Sequence, residues 1–202
     1  MPPRTDRRER AADAAIEIIA EQGLRGLTHR ACDARAGLPL GSTSSCFRTR
    51  AALVGGVLER IVAQDEELLV EYPTENWTMS TPEGRENIVV TLTELMSFWL
   101  GPGRTRTLAR LELFVDAARR EELDDELAAA NRQYLRRVTD GMVEADMGNP
   151  EEAARLLIAQ MDGLFYDAIV RPHLGGGEPE RLRAAIAVII EGLAHGLARQ
   201  DG

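Results

Sequence analysis

Apolar residues in this chain recur every three to four positions, in stretches bounded by Gly, Pro and capping residues. That spacing restricts the fold to packed helices. Asp6 and Glu9 have capping-box spacing and open a first helix with the apolar face Ala12, Ala15, Ile16, Ile19 and Ala20; Gly23 closes it. The first five residues read as a disordered arm. Thr28 caps a short second helix that stops at Gly37, and Pro39 opens a third, Leu40 to Phe47. Thr49 caps a fourth, Arg50 to about Val70. After a loop from Tyr72 to Ser80, Thr81-Pro82-Glu83 combines cap, first-turn proline and first-turn acid, and starts a fifth helix to Leu100. Gly101-Pro102-Gly103 ends it. A sixth runs from about Arg104 to Ala118 and a seventh from about Glu121 to Ala145. Gly148-Asn149-Pro150-Glu151 marks the next break, and an eighth helix reaches Val170. Gly175-Gly176-Gly177 reads as a hinge before a ninth helix, started by Glu178-Pro179-Glu180 and ending near Arg199. No useful stretch alternates with period two and no segment repeats. The expectation is an all-α chain of about nine helices.

Charge divides the chain unevenly. The net charge is -9, yet residues 1–50 carry nine Arg against six acids, and residues 51–202 carry fifteen Arg against twenty-seven acids. A basic head on an acidic body fits a small nucleic-acid module joined to a larger part that avoids it. All basic residues are Arg, which reads as codon bias. Aromatics are 4% of residues, in line with helix packing over sheet. Two cysteines make no disulfide framework. No apolar run approaches the roughly 18 residues of a membrane span, and the Arg-rich start lacks a signal-peptide core. A cytoplasmic chain that does not enter membranes is expected.

The three short helices at the front suit a helix-turn-helix. Thr28–Ala36 and Leu40–Phe47 form the pair, and Gly37 supplies the positive φ that a tight turn needs. Ala31, Cys32, Ala36, Leu38 and Phe47 form its small core. Such a turn lets the second helix enter a major groove about 12 Å wide. That helix holds Ser42, Thr43, Ser44 and Ser45, poor helix formers whose small hydroxyl side chains allow close approach to DNA. Thr28, Arg30, Leu40, Gly41, Ser42, Thr43, Ser44, Ser45, Arg48 and Arg50 are the candidate DNA-contacting residues. Arg50 combines a cation with a helix start and is the first choice for a phosphate contact.

Residues 20–53, AEQGLRGLTHRACDARAGLPLGSTSSCFRTRAAL, resemble the N-terminal domain of the TetR family of bacterial regulators. The matching positions are Gly23 after the first helix, Thr28, the Ala36-Gly37-Leu38 turn, Gly41, the closing Phe47, and a basic residue at Arg50. The chain departs from the family pattern at Ser44, where Tyr is frequent, at Cys46, where His is frequent, and at Pro39, where a Ser or Thr cap is usual. The resemblance implies a helix-turn-helix domain at 1–50, a connecting fourth helix at 50–70, and a helical ligand-binding and dimerisation domain at 51–202. It implies a repressor released from palindromic operator DNA by a small molecule, and no enzyme. The alternative is a dimeric helical small-molecule-binding or adaptor protein that does not bind DNA.

Within that frame, wide apolar stripes on the eighth and ninth helices suggest a two-fold four-helix bundle. Leu157, Ile169, Ile186, Ile189, Ile190 and Leu193 are the expected dimer contacts. Phe98, Trp99, Leu111, Phe114, Tyr134, Met142, Met161, Phe165 and Tyr166 are the expected pocket wall, because aromatic and Met side chains adapt to irregular ligands. No cofactor and no metal are expected. His29, Cys32 and Cys46 supply only three possible ligands, and Cys32 falls at a core position. No phosphate-cradling Gly loop or nucleophile elbow is present to support catalysis.

Overall fold

The computed structural model describes residues 4–72, 74–117 and 124–197. Among them are nine α-helices and no strand. They are α1 (Arg4–Gly26), α2 (His29–Arg35), α3 (Ser42–Cys46), α4 (Arg50–Leu69), α5 (Pro82–Leu100), α6 (Arg104–Ala117), α7 (Asp124–Glu144), α8 (Pro150–Val170) and α9 (Pro179–Gly196), with a 3-10 turn at Pro172–Leu174. The all-α expectation holds. The expected ends at Ala118 and Arg199 and the expected start at Glu121 lie outside the described residues, as do Pro2 and Pro3.

The chain packs as two compact units, Met1–Leu68 with Gly103–Asn131, and Leu69–Pro102 with Arg132–Gly202. In the first unit α1 packs against α6 as well as α2 and α3. Two partners explain the wide buried face of α1: Ala11, Ala14 and Ile18 are buried along with the expected Ala12, Ala15, Ile16 and Ile19. The helix is interrupted at Gly23 (φ 65°, ψ -179°), the expected stop, and a further helical turn reaches Gly26.

The core of the first unit joins these residues to Leu27, Cys32, Phe47, Leu53, Val57, Leu58 and Ile61, with Ala109 and Leu113 from α6. Phe47 reaches into it because Gly56 has no side chain: a Cβ there would lie 2.1 Å from the ring. The guanidinium of Arg8 sits 4.4 Å from the centre of the same ring and pairs with Glu59 at 2.7 Å. Arg60 binds Asp13 at 2.7 Å, tying α4 to α1.

In the second unit, α5 packs on α8 and α9, and α8 on α9. The expected start of α5 is present: the Thr81 hydroxyl accepts from the Gly84 N–H at 3.1 Å, and Pro82 occupies the first turn. Its core includes Ile88, Met96, Met142, Leu182, Ile186 and Ile190, all essentially without exposure. Trp99 meets Phe165 edge to face, with ring centres 5.9 Å apart. Arg85 links α5 to Glu191 of α9 at 2.7 Å.

Candidate functional site

The helix-turn-helix is assembled by polar ties that fix three short segments. The Thr28 side chain caps α2 by accepting from the Ala31 N–H at 3.1 Å. Gly37 has φ 61°, as the turn requires. Beyond it, Asp33 of α2 organises the start of α3. Its carboxylate accepts from the Gly41 N–H at 2.7 Å, the Thr43 N–H at 2.7 Å and the Thr43 hydroxyl at 2.6 Å. Asp33 is only 3% exposed, so these three donors replace water around a buried charge. This cap starts α3 at Ser42, two residues later than expected; Leu40 and Gly41 belong to the turn, with Gly41 at φ 90°. The far end of α3 is held by His29, whose Nε2 lies 2.7 Å from the Phe47 carbonyl oxygen, and the end of α2 by Arg10, which donates to Ala36 O at 2.7 Å.

The expected DNA-contacting residues divide by orientation. Thr28, Arg30, Leu40, Ser44, Ser45 and Arg48 are exposed. Leu40 is 81% exposed, an apolar side chain left at the tip of the unit. Ser44 and Ser45 hydroxyls donate to Gly41 O at 3.0 and 2.8 Å. Ser42 and Thr43 are corrected. Thr43 is 0% exposed and Ser42 is buried, its hydroxyl donating to Pro39 O at 2.6 Å, so both side chains serve the internal frame. Arg50 has a structural role as well. Its two terminal nitrogens donate to Leu27 O and Leu24 O at 2.6 Å each, which ties it to the end of α1 while the residue itself remains exposed. Two of its five N–H groups are thus committed. Cys32 is buried in the core, where burial first and the Asp33 charge second push its thiol up to about 11. It is therefore a neutral, unreactive thiol.

The second unit contains an apolar cavity offering water about 90 Å³ of space. Five of the nine expected wall residues line it: Trp99, Tyr134, Met142, Met161 and Phe165. The other four are corrected. Leu111 and Phe114 belong to the first unit, where Phe114 packs on its core. Phe98 sits on α5 off the face Thr91, Leu92, Leu95 and Trp99 that meets the cavity. Tyr166 is 53% exposed, with Arg171 placed 5.5 Å from its ring centre. Sequence reading missed Leu69, Tyr72, Thr74 and Trp77, which arrive from the end of α4 and the following loop, and the α7 face Arg137, Val138 and Gly141. Leu157 and Ile158 of α8 complete it. The 77-and-72 loop aromatics were the available signal, since an aromatic in a Pro-containing loop needs an apolar partner.

The expected dimer contacts also change. Leu157, Ile186, Ile189, Ile190 and Leu193 are buried inside the unit, and Ile169 is half-buried. The opposite sides of the same helices carry Ala159, Gly163, Tyr166 and Val170 on α8, and Ala184, Val188 and Gly192 on α9, all exposed. Val188 is 74% exposed, and a Cβ at Gly163 or Gly192 would meet nothing within 4 Å. Among the described residues, no group of three His, Cys, Asp or Glu side chains could hold a metal ion, and no helix is long and apolar enough to cross a membrane.

A helix-turn-helix unit and a helical unit with an apolar cavity define the architecture of a one-chain regulator. Residues 83–195 match the family described as "Tetracyclin repressor-like, C-terminal domain". The chain belongs to the TetR family of transcriptional regulators. Among solved structures it is similar to the multidrug binding protein EbrR complexed with imidazole: 28% identity, 94% of this chain, 93% of that chain, TM-score 0.69. A transcriptional regulator from Rhodococcus sp. Rha1 shares 26% identity over 94% of this chain and 96% of its own, with TM-score 0.73. A TetR-family member from Streptomyces coelicolor A3 shares 26% identity over 91% and 98%, with TM-score 0.70. No match was found among curated proteins.

Proposed function

We propose that this chain is a ligand-responsive, DNA-binding transcription repressor that binds palindromic operator DNA as a homodimer. Residues 1–50 are the reading head and 51–202 the effector-binding and dimerisation body. The carrying observation is α3 with its start clamped by Asp33, which leaves Leu40, Ser44, Ser45 and Arg48 outward on a fixed frame. Leu40 suits a thymine methyl group, the serine hydroxyls suit base edges or phosphates, and Arg30 and Arg48 suit phosphates. The exposed sides of α8 and α9 form the two-fold contact: Gly163 and Gly192 allow close helix approach, and Val188, Tyr166 and Val170 supply apolar area.

The effector enters the cavity of the second unit. EbrR is described as a multidrug binding protein and is seen with imidazole and ethidium, which supports a small-molecule role for this chain. An effector that binds better to a dimer spacing unsuited to successive major grooves shifts the population away from DNA.

Fluorescence anisotropy of the purified chain with palindromic duplexes tests this reading. Binding should weaken linearly on a log–log plot against salt, with several phosphates neutralised. Arg48→Ala should weaken binding to all sequences alike and lower the salt slope by about one. A chain with no titratable binding at low salt would instead be a helical adaptor.

A further inference from the structure

We propose that the cavity selects apolar ligands bearing a carboxylate, and discriminates against lipophilic cations. The proposal rests on the effector-binding reading and names the ligand class. Its wall is almost wholly apolar or aromatic, and Arg137 is its one formal charge. No carboxylate lines it. Arg137 has no ion pair or hydrogen bond among the described residues, so its guanidinium is uncommitted. A second donor lines the same cavity: the indole N–H of Trp77 is buried and has no acceptor among the described residues. The lining hydroxyls of Thr74 and Thr91 donate elsewhere, to Glu144 and to Asn87 O.

The wall therefore offers donors lacking acceptors and a positive charge lacking a counter-ion. A ligand carboxylate supplies both, and Arg is the side chain that binds it in a two-pronged geometry. A cation would be attracted by the rings of Trp77, Trp99 and Tyr134. It would nonetheless bring a second like charge to the cavity that Arg137 lines, with no carboxylate among the lining residues to offset it. Two features act in the opposite sense. Glu144 contacts a wall residue, Thr74, but is itself exposed and outside the lining. Residues 51–202 carry a net charge of -12, yet at physiological ionic strength such a field is screened beyond about 8 Å, so the contact inside the cavity decides. EbrR is seen with ethidium and with malachite green. The present cavity is predicted to differ from it in charge preference.

The test is calorimetry of the full chain, without DNA, against three ligands of one shape: cinnamate, cinnamamide and cinnamylammonium. Cinnamate should bind at least tenfold tighter than the amide, and the ammonium weakest. Both tryptophans of the chain line the cavity, so quenching of intrinsic fluorescence should follow the same order. Arg137→Gln should abolish the carboxylate preference while changing the amide Kd less than twofold, and Arg137→Glu should invert the order. Arg137 is exposed, and unchanged thermal midpoints will show that these variants fold. Equal affinities, a cation preference, or no binding of any of the three overturns the proposal. Anisotropy with DNA, run separately, reports on the repressor reading: selective carboxylate binding without DNA release would sink that reading alone.

Discussion

Asp33 holds more of the reading head together than any hydroxyl of α3. One carboxylate oxygen satisfies both donors of Thr43 and the other the N–H of Gly41. Removing it leaves buried donors unmatched and uncaps the helix at once. Asp33→Ala should destabilise the chain by about 2–3 kcal/mol, read as a lower urea midpoint, with Asn recovering part of the loss. The neighbouring Cys32 gives a pH signature. Its thiol is pushed from an ordinary 9.0 to about 11 in the fold. Above pH 9 the unfolded chain releases this proton while the folded chain keeps it, so the unfolded state gains. The contribution is whole below pH 9 and declines as pH rises towards 11. Thermal midpoints should fall more steeply over that window in the parent chain than in Cys32→Ala. At pH 8 Ellman's reagent should titrate Cys46, which is half-buried, and leave Cys32 untouched until the chain unfolds.

At the scale of elements, α8 and α9 show how an amphipathic pattern misleads. Both have apolar residues around most of their circumference. The heavier side, Leu157, Met161 and Phe165 with Ile186, Ile190 and Leu193, goes into the subunit's own core. The lighter side, built from Ala, Gly and Val with Tyr166, remains outside and is the proposed two-fold contact. The two sides answer differently to mutation. Val188→Arg should leave the helical circular dichroism intact and convert a dimer to a monomer in sedimentation velocity. Ile190→Ala should lower stability by about 2–4 kcal/mol through cavity formation. A dimer that survives Val188→Arg unchanged would place the contact on another surface.

At the scale of the whole molecule, local signals set what short stretches of chain can do by themselves. Thr28, Gly37 and Thr81-Pro82 fix caps and turns within a few residues, and each is found in its expected role. Residue spacing and the Gly and Pro stops therefore determined the all-helical class, the number of helices and the position of the helix-turn-helix. Contacts distant in sequence are different. Asp33 capping a helix eight to ten residues ahead depends on the turn between them. The Phe47 ring needs a glycine in α4, and the cavity draws Tyr72 and Trp77 from a loop to meet α5, α7 and α8. Whether Thr43 or Ser44 faces outward, and which side of α8 is core, also depends on partners that periodicity does not name. Spacing along a helix reports how much surface must be buried; only the packing of helices against one another decides which surface buries it.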